Sequence, residues 1–413
     1  MKKNIMVIFL ICFVTSLYTQ PIIKDISFEN RLSTYPFAWK PDTVYSFIPN
    51  SEHAVNRYIY TYNRQGFVLI QLSQIWQNDT WTNDNKQVYI YDPNNNMLTH
   101  LYQSWKNDIW ENTHKQTNTY DSNNNKLSIL SQSWKNNTWV NYDIFTYTYD
   151  SNNNELIHLR QEWKNDIWVN VHKETSTYDL NNNLLTNLYQ HWQNNIWENS
   201  SFCTFNYNSN NQMLSQSVQF WQNDRWINDY QYLYSYHSNN KMLIQLRQTW
   251  RSCNWVNSSQ YVYTYDSNNN LLINLTQHWE NGAWINSSQD TYTYTSHNTK
   301  RTQSYQIWRN DIWQNVRQST NTYDSKDNIL NTLSQIWLND IWINNSQLLY
   351  IYDENDNCIL VENLKQTDES WLPYENGVNL SYNNMQSSLH CPEYGVYKAT
   401  ATYTKITIED LKK

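Results

Sequence analysis

Tryptophan recurs in this chain as ten pairs on one fixed step: Trp76/Trp81, Trp105/Trp110, Trp134/Trp139 and onward every 29 residues to Trp337/Trp342. A sequence that repeats itself so often without an insertion is built from one supersecondary unit laid against copies of itself. Other columns keep the same step. Glutamine stands two residues before each first Trp, from Gln74, Gln103 and Gln132 to Gln335. Asparagine stands two residues after each second Trp, from Asn83, Asn112 and Asn141 to Asn344. Tyrosine recurs from Tyr62, Tyr91, Tyr120 and Tyr149 to Tyr352, often followed by Asp as in Tyr120-Asp121 and Tyr265-Asp266.

One unit reads as two strands and two turns. Leu101, Gln103 and Trp105 alternate with variable residues, Asn107-Asp108 interrupts, and Trp110 and Asn112 resume the alternation. Period two on both sides of such a dipeptide marks a hairpin with a primed two-residue turn, because Asn and Asp tolerate the positive φ it demands. Four residues after each Tyr the sequence offers only Gly66, Asn95, Asn124, Asn153 and their equivalents, or Asp327 and Asp356. Those residue types enter the left-handed region at least cost, which predicts a three-residue loop closed by a left-handed residue and a bulge. The expected chain is therefore a continuous antiparallel meander.

Register follows by counting from the turns. Trp105 is expected opposite Trp110, Gln103 opposite Asn112 and Leu101 opposite His114. Across the second turn Tyr120 is expected opposite Lys126, Gln116 opposite Leu130 and Asn112 opposite Trp134. This count puts Trp, Gln, Asn, Tyr and Leu101 on one face, and Thr113, Lys115, Thr117 and Thr119 on a solvent face whose Leu98 end is also covered. It also staggers successive hairpins, and a steadily staggered sheet coils. The predicted fold class is all-β: tandem β-hairpin repeats forming a coiled antiparallel sheet, as an open spiral, shell or tube, with the aromatic face inward.

Composition limits the partners. Lys2 and Lys3, an apolar run from Ile5 to about Leu17, and Tyr18-Thr19-Gln20 read as a cleaved secretory signal, too short to span a bilayer. The formal net charge of −8 argues against nucleic acid. Five cysteines are too few for a disulfide scaffold; Cys203 and Cys253 read as isolated thiols, while Cys358 and Cys391 are placed in a compartment that permits a bridge. The expected organisation is a leader at 1–20, an N-terminal cap at 21–57, ten hairpin repeats at 58–357, and a degenerate repeat with a C-terminal cap at 358–413.

The run Tyr120-Asp121-Ser122-Asn123-Asn124-Asn125-Lys126-Leu127 resembles the motif of the YD (Rhs-type) repeats of secreted bacterial proteins. The Trp pair makes this a longer variant, with Asn in place of the usual loop glycine and with copies such as Tyr207-Asn208 and Tyr294-Thr295 lacking the acid. The resemblance covers roughly residues 58 to 357 and implies hairpins wound into a sheet spiral or shell. It carries over no toxin-enclosing role, because no toxin domain or self-cleaving segment is recognised after the repeats.

The face bearing Trp105, Trp110, Gln103, Asn112, Tyr120, Trp134, Trp139, Gln132, Asn141 and Tyr149 invites a carbohydrate-binding reading, since aromatic rings stack on sugars and amides bond hydroxyls. The preferred reading is a packed interior in which Gln103 and Asn112 satisfy each other. Asp121 to Asn125 matches the opening of a calcium loop, but Gln132 stands where the closing carboxylate belongs, so a self-capping Asx turn is expected and no metal. The scattered histidines suggest no metal site. There is no nucleophile elbow, phosphate loop or recurring carboxylate pair, hence no enzyme and no cofactor. The expected protein is a secreted or cell-surface structural or adhesive scaffold, with a carbohydrate-binding module as the alternative. Its partners would be a protein or glycan at the cell surface, or further copies of itself through free sheet edges.

Overall fold

A computed structural model describes residues 37–47, 54–354, 356 and 358–367, together with the backbone of strands at 371–373, 378–381, 388–391 and 398–407. The expected leader at 1–20 and most of the N-terminal cap lie outside the described residues. The described chain forms 27 β-strands, β1 to β27 in chain order, and no helix long and apolar enough to cross a membrane is present among them. One antiparallel sheet takes 25 strands, while β25 (Val378–Ser381) and β26 (Ser388–Cys391) pair separately. The tandem-hairpin, all-β reading of the sequence is thus the architecture observed.

Each repeat contributes a short and a long strand, as in β5 (Met97–Lys106) with β6 (Ile109–Tyr120), and β7 (Lys126–Lys135) with β8 (Thr138–Tyr149). Both turns have the predicted chemistry. At the Trp end, Asn107 and Asp108 hold φ of 50° and 61°, the doubly positive pair of a type I′ turn. At the Tyr end, Asn124 holds φ of 68°, Asn124 N–H donates to Asp121 O at 3.2 Å, and Asp121 N–H donates to Asn125 O at 2.9 Å. One copy breaks the residue rule: Ser252 and Cys253 occupy the Trp-end turn at φ of 49° and 63°. Neither side chain relieves left-handed backbone as Asn or Gly does. Replacing Ser252 by Asn and Cys253 by Gly is expected to raise stability by about 1–2 kcal/mol, read as a higher urea midpoint at unchanged slope; an unchanged or lower midpoint would refute the strain.

Register agrees with the count near the turns and departs from it inside the strands. Trp105 pairs with Trp110, Gln103 with Asn112, and Tyr120 with Lys126. Beyond Asn112 the ladder skips Thr113, so His114 pairs with Tyr102 and Lys115 with Leu101. A second skip at Leu127 sets Thr117 opposite Leu130 and Gln116 opposite Ser131. Each skipped residue is a bulge, and one extra residue exchanges the two faces for everything beyond it. Tyr120 and Tyr149 therefore lie on the face opposite the indoles, while Lys115, Thr117 and Thr119 join the indole face, the reverse of the simple count. The bulged leucines are not uniformly covered either: Leu98, Leu156 and Leu243 are partly buried, while Leu127, Leu185, Leu214, Leu272 and Leu330 are exposed.

Packing follows from a single-layer sheet. Among the described residues few hydrophobic side chains are buried, and Val44, Tyr60, Cys358 and Val361 gather in one cluster with Leu348, Tyr350 and Tyr352 alongside. The cluster sits where the ends of the repeat array meet. β1 (Phe37–Phe47) pairs with β2 (Asn56–Tyr62) over Thr43–Ser46 and along its other side with β27 (Lys398–Thr407). β27 in turn pairs with β23 (Cys358–Gln366) through Leu360, Val361 and Glu362. The strand edges at the two ends of the array are thus engaged by β1 and β27.

Candidate functional site

The indole face is assembled by register. In each hairpin the two indoles meet edge to face, with centroids 4.9 Å apart for Trp105/Trp110 and for Trp134/Trp139, within the range that the ring quadrupoles favour. One pleat inward, Gln103 Nε2 donates to Asn112 Oδ1 at 2.9 Å, and Gln132 Nε2 to Asn141 Oδ1 at 2.9 Å. The same bond recurs in every repeat, from Gln74 with Asn83 at 2.7 Å to Gln335 with Asn344 at 2.9 Å. The mutual satisfaction of Gln and Asn is as the sequence suggests. The packed interior is not: every indole of the ten pairs is only partly buried, because no second layer lies over this face among the described residues.

A third column completes each row. Lys86 pairs with Gln103 across the neighbouring strand, and Lys115 with Gln132. Lys86 Nζ lies 4.6 Å from the Trp110 ring and Lys115 Nζ 4.7 Å from that of Trp139, close enough for a cation–π contact. Partial burial on the sheet holds the Lys86 ammonium below its ordinary pKa. This column forms no sequence motif because its residue type changes along the chain, although its 29-residue step is as regular as that of tryptophan.

The opposite face carries the tyrosines. Tyr120 Oη donates to Met97 O at 3.1 Å and Tyr149 Oη to Lys126 O at 2.9 Å, each reaching across its own hairpin to the first residue of the short strand. Asn118, 2% exposed, donates to the same Met97 oxygen at 2.7 Å. The YD tyrosine pins the open end of its own hairpin rather than neighbouring the indoles. On this face His100 lies between Tyr89 and Tyr102, with centroids 4.2 and 4.0 Å away, and its Nε2 bonds Gln87 Oε1 at 2.8 Å. Burial pulls its pKa down to about 4 and pushes that of Tyr89 up to about 12.

At the Tyr-end rim, Asp121 Oδ1 accepts from the N–H groups of Asn123 at 2.9 Å and Asn125 at 2.8 Å, and Oδ2 accepts from Asn125 Nδ2 at 2.9 Å. This is the Asx turn read from the sequence, and the Asn125 side chain is the main cause holding the carboxyl below its usual range. Asn125 Nδ2 also donates to Asn153 Oδ1 of the next loop at 2.7 Å. The left-handed asparagine thus has a use that glycine lacks: its side chain links loop to loop. No group of three or more His, Cys, Asp or Glu disposed to hold a metal occurs among the described residues.

Cys203 and Cys253 are isolated thiols. Cys358 is buried at the seam, its Sγ 3.5 Å from Leu360 O, and burial pushes its thiol up to about 11. The side chain of Cys391 is outside those described, and the expected bridge lies there with it.

No family model matches the chain, and no curated protein does. Among solved structures, TcdB2-TccC3-TEV is similar at 12% identity with a TM-score of 0.30, over 87% of this chain and 21% of that one. This chain therefore spans about a fifth of the length of that relative. A protein of unknown function from Bacteroides fragilis is similar at 12% identity and a TM-score of 0.25, over 29% of this chain and 91% of its own. A porin-like protein from Bacteroides uniformis is similar at 10% identity and a TM-score of 0.26, over 62% and 94%.

Proposed function

We propose that this protein is an exported, non-catalytic repeat scaffold that acts at the cell surface by presenting its indole-and-amide face to a partner. The observation that carries the reading is the partial exposure of every Trp pair together with its hydrogen-bonded Gln–Asn pair. Aromatic and amide side chains arrayed on a rigid sheet suit recognition. The leader-like N-terminus and the YD resemblance supply the compartment. Self-association through sheet edges would have to displace β1 or β27 from pairing.

The reading is tested by tagging the C-terminus, fractionating cells, and digesting intact cells with protease. The protein is expected in the medium or on the outer surface, accessible to protease without lysis. Retention in the cytoplasm with the leader intact would overturn it.

A further inference from the structure

The indole face differs between the two halves of the sheet, and the column five residues after the second Trp of each pair makes the difference. Toward the N-terminus it holds Lys86, Lys115, Ile144, Lys173 and Phe202, preceded in the same frame by Arg57. Each cation sits over the second indole of the following pair: Arg57 4.7 Å from Trp81, Lys86 4.6 Å from Trp110, Lys115 4.7 Å from Trp139 and Lys173 4.8 Å from Trp197. Phe202 packs 5.5 Å from Trp226 in the same manner. Toward the C-terminus the column becomes Gln231, Gln260, Gln289, Gln318 and Gln347.

These glutamines bond along the sheet. Gln260 Nε2 donates to Gln277 Oε1 at 2.6 Å, and Gln277 Nε2 to Asn286 Oδ1 at 2.9 Å; Gln289, Gln306 and Asn315 repeat the chain at 2.6 and 2.8 Å. Two consequences follow among the described residues. Trp255, Trp284, Trp313 and Trp342 carry no cation and no ring besides their pair partner's. The Nδ2 groups that end the amide chains, those of Asn286 and Asn315 included, donate to no protein acceptor, two residues from an uncovered indole. The residues directly opposite this column on the same face, Leu246, Leu275 and Ser304, bear no charge.

We propose that the four-repeat track from Trp255 to Trp342 binds a neutral polysaccharide chain, one indole platform and one amide triad per repeat. A pyranose offers an apolar C–H face to a ring and hydroxyl oxygens to a free amide donor, and it needs no counter-charge. Platforms recur every two strands, roughly 10 Å apart across the sheet, so one polymer engages several weak sites at once and gains avidity. The N-terminal half offers no comparable run, because its second indoles carry a cation or a ring, all but Trp168, whose place in the column is taken by Ile144.

The inference rests on the surface-scaffold reading only for its compartment. A protein found at the surface that ignores neutral polymers sinks the track and leaves the scaffold standing. The test is native affinity electrophoresis of the purified full chain in gels holding hydroxyethylcellulose, xylan, galactomannan or dextran, with alginate as the anionic control. Retardation is expected in a neutral polymer and not in alginate. Gln260→Lys with Gln289→Lys installs the residue that the N-terminal repeats already tolerate, so the fold is kept while Trp284 and Trp313 become covered. This variant is expected to bind at least tenfold more weakly, and Lys86→Gln with Lys115→Gln to bind no more weakly than the parent. No retardation in any neutral polymer, equal binding by the Gln→Lys variant, or binding confined to alginate would overturn the proposal.

Discussion

Deleting Thr113 is expected to cost on the order of 3–5 kcal/mol, the upper range for a change at one position, whereas Thr113→Ala costs about 1 kcal/mol at most through the bond from its Oγ1 to Tyr102 O at 3.1 Å. The contrast isolates the count of residues from the chemistry of the side chain. Thr113 is the extra residue between Asn112, paired with Gln103, and His114, paired with Tyr102. Without it the strand has two choices. It keeps Trp105/Trp110 and Gln103/Asn112 and turns everything beyond to the wrong face, losing the bonds of Tyr120 and Asn118 to Met97 O. Otherwise it keeps those bonds and separates the indole pair and the amide pair. Either way Lys115 or Trp110 leaves the contact that joins one repeat to the next. Urea unfolding followed by near-ultraviolet circular dichroism of the indoles reads the effect. A midpoint as little changed by the deletion as by the alanine substitution would mean that the bulge does not set the faces.

The same residue shows where the sequence stops being legible. The turns announce themselves, because left-handed backbone accepts so few residue types: Asn107, Asp108 and Asn124 are what the geometry permits. The pairing of Trp105 with Trp110 follows from turn length alone. A bulge inside a strand asks little of its side chain, and the skipped position holds Asp84, Thr113, Tyr142 and Val171 in successive repeats. A straight count through it places Tyr120 on the indole side and Lys115 away from it, the reverse of the observed ladder. The second bulge does recur as leucine, at Leu98 and Leu127 among others, yet leucine at a fixed step reads as core until the ladder is seen. The packed interior failed for a different reason. Periodic aromatic residues are equally required by a buried layer and by a surface array, and only the absence of a covering layer among the described residues separates the two. The column at Lys86, Lys115 and Gln260 was visible in the sequence but changes type midway, so it carried no motif.

Acid is expected to weaken the fold in two separable steps. The first belongs to the histidines of the tyrosine face. His172 lies directly opposite Arg160 on β9 (Glu155–Lys164) and His191 on β11 (Leu184–Gln193), with His158 5.9 Å away and Glu174 on its own strand. Burial, then the neighbouring His158, Arg160 and His191, pull its pKa from 6.5 down to about 4, as burial does for His100. These folded-state values lie below the unfolded one, so from pH 6.5 downward the unfolded chain takes protons that the folded chain refuses. Stability is complete above pH 6.5, declines toward pH 4, and loses nothing further from these groups below that. Discounted for partial exposure, the sum is on the order of 1–3 kcal/mol. The second step belongs to the loop aspartates. Asp92, Asp121, Asp150 and Asp179 are held below 3.8, chiefly by the side chains of Asn96, Asn125, Asn154 and Asn183. Their contribution is intact above pH 3.8 and is lost as pH falls through the depressed values, when the Asx turns open and the loop-to-loop amide bonds lose their anchor. Urea midpoints measured from pH 8 to pH 3 should therefore fall twice. His100→Phe with His172→Phe should flatten the first fall and leave the second in place. A midpoint constant from pH 7 to 4.5, or a first fall that survives both substitutions, would show that these histidines do not govern the acid limb.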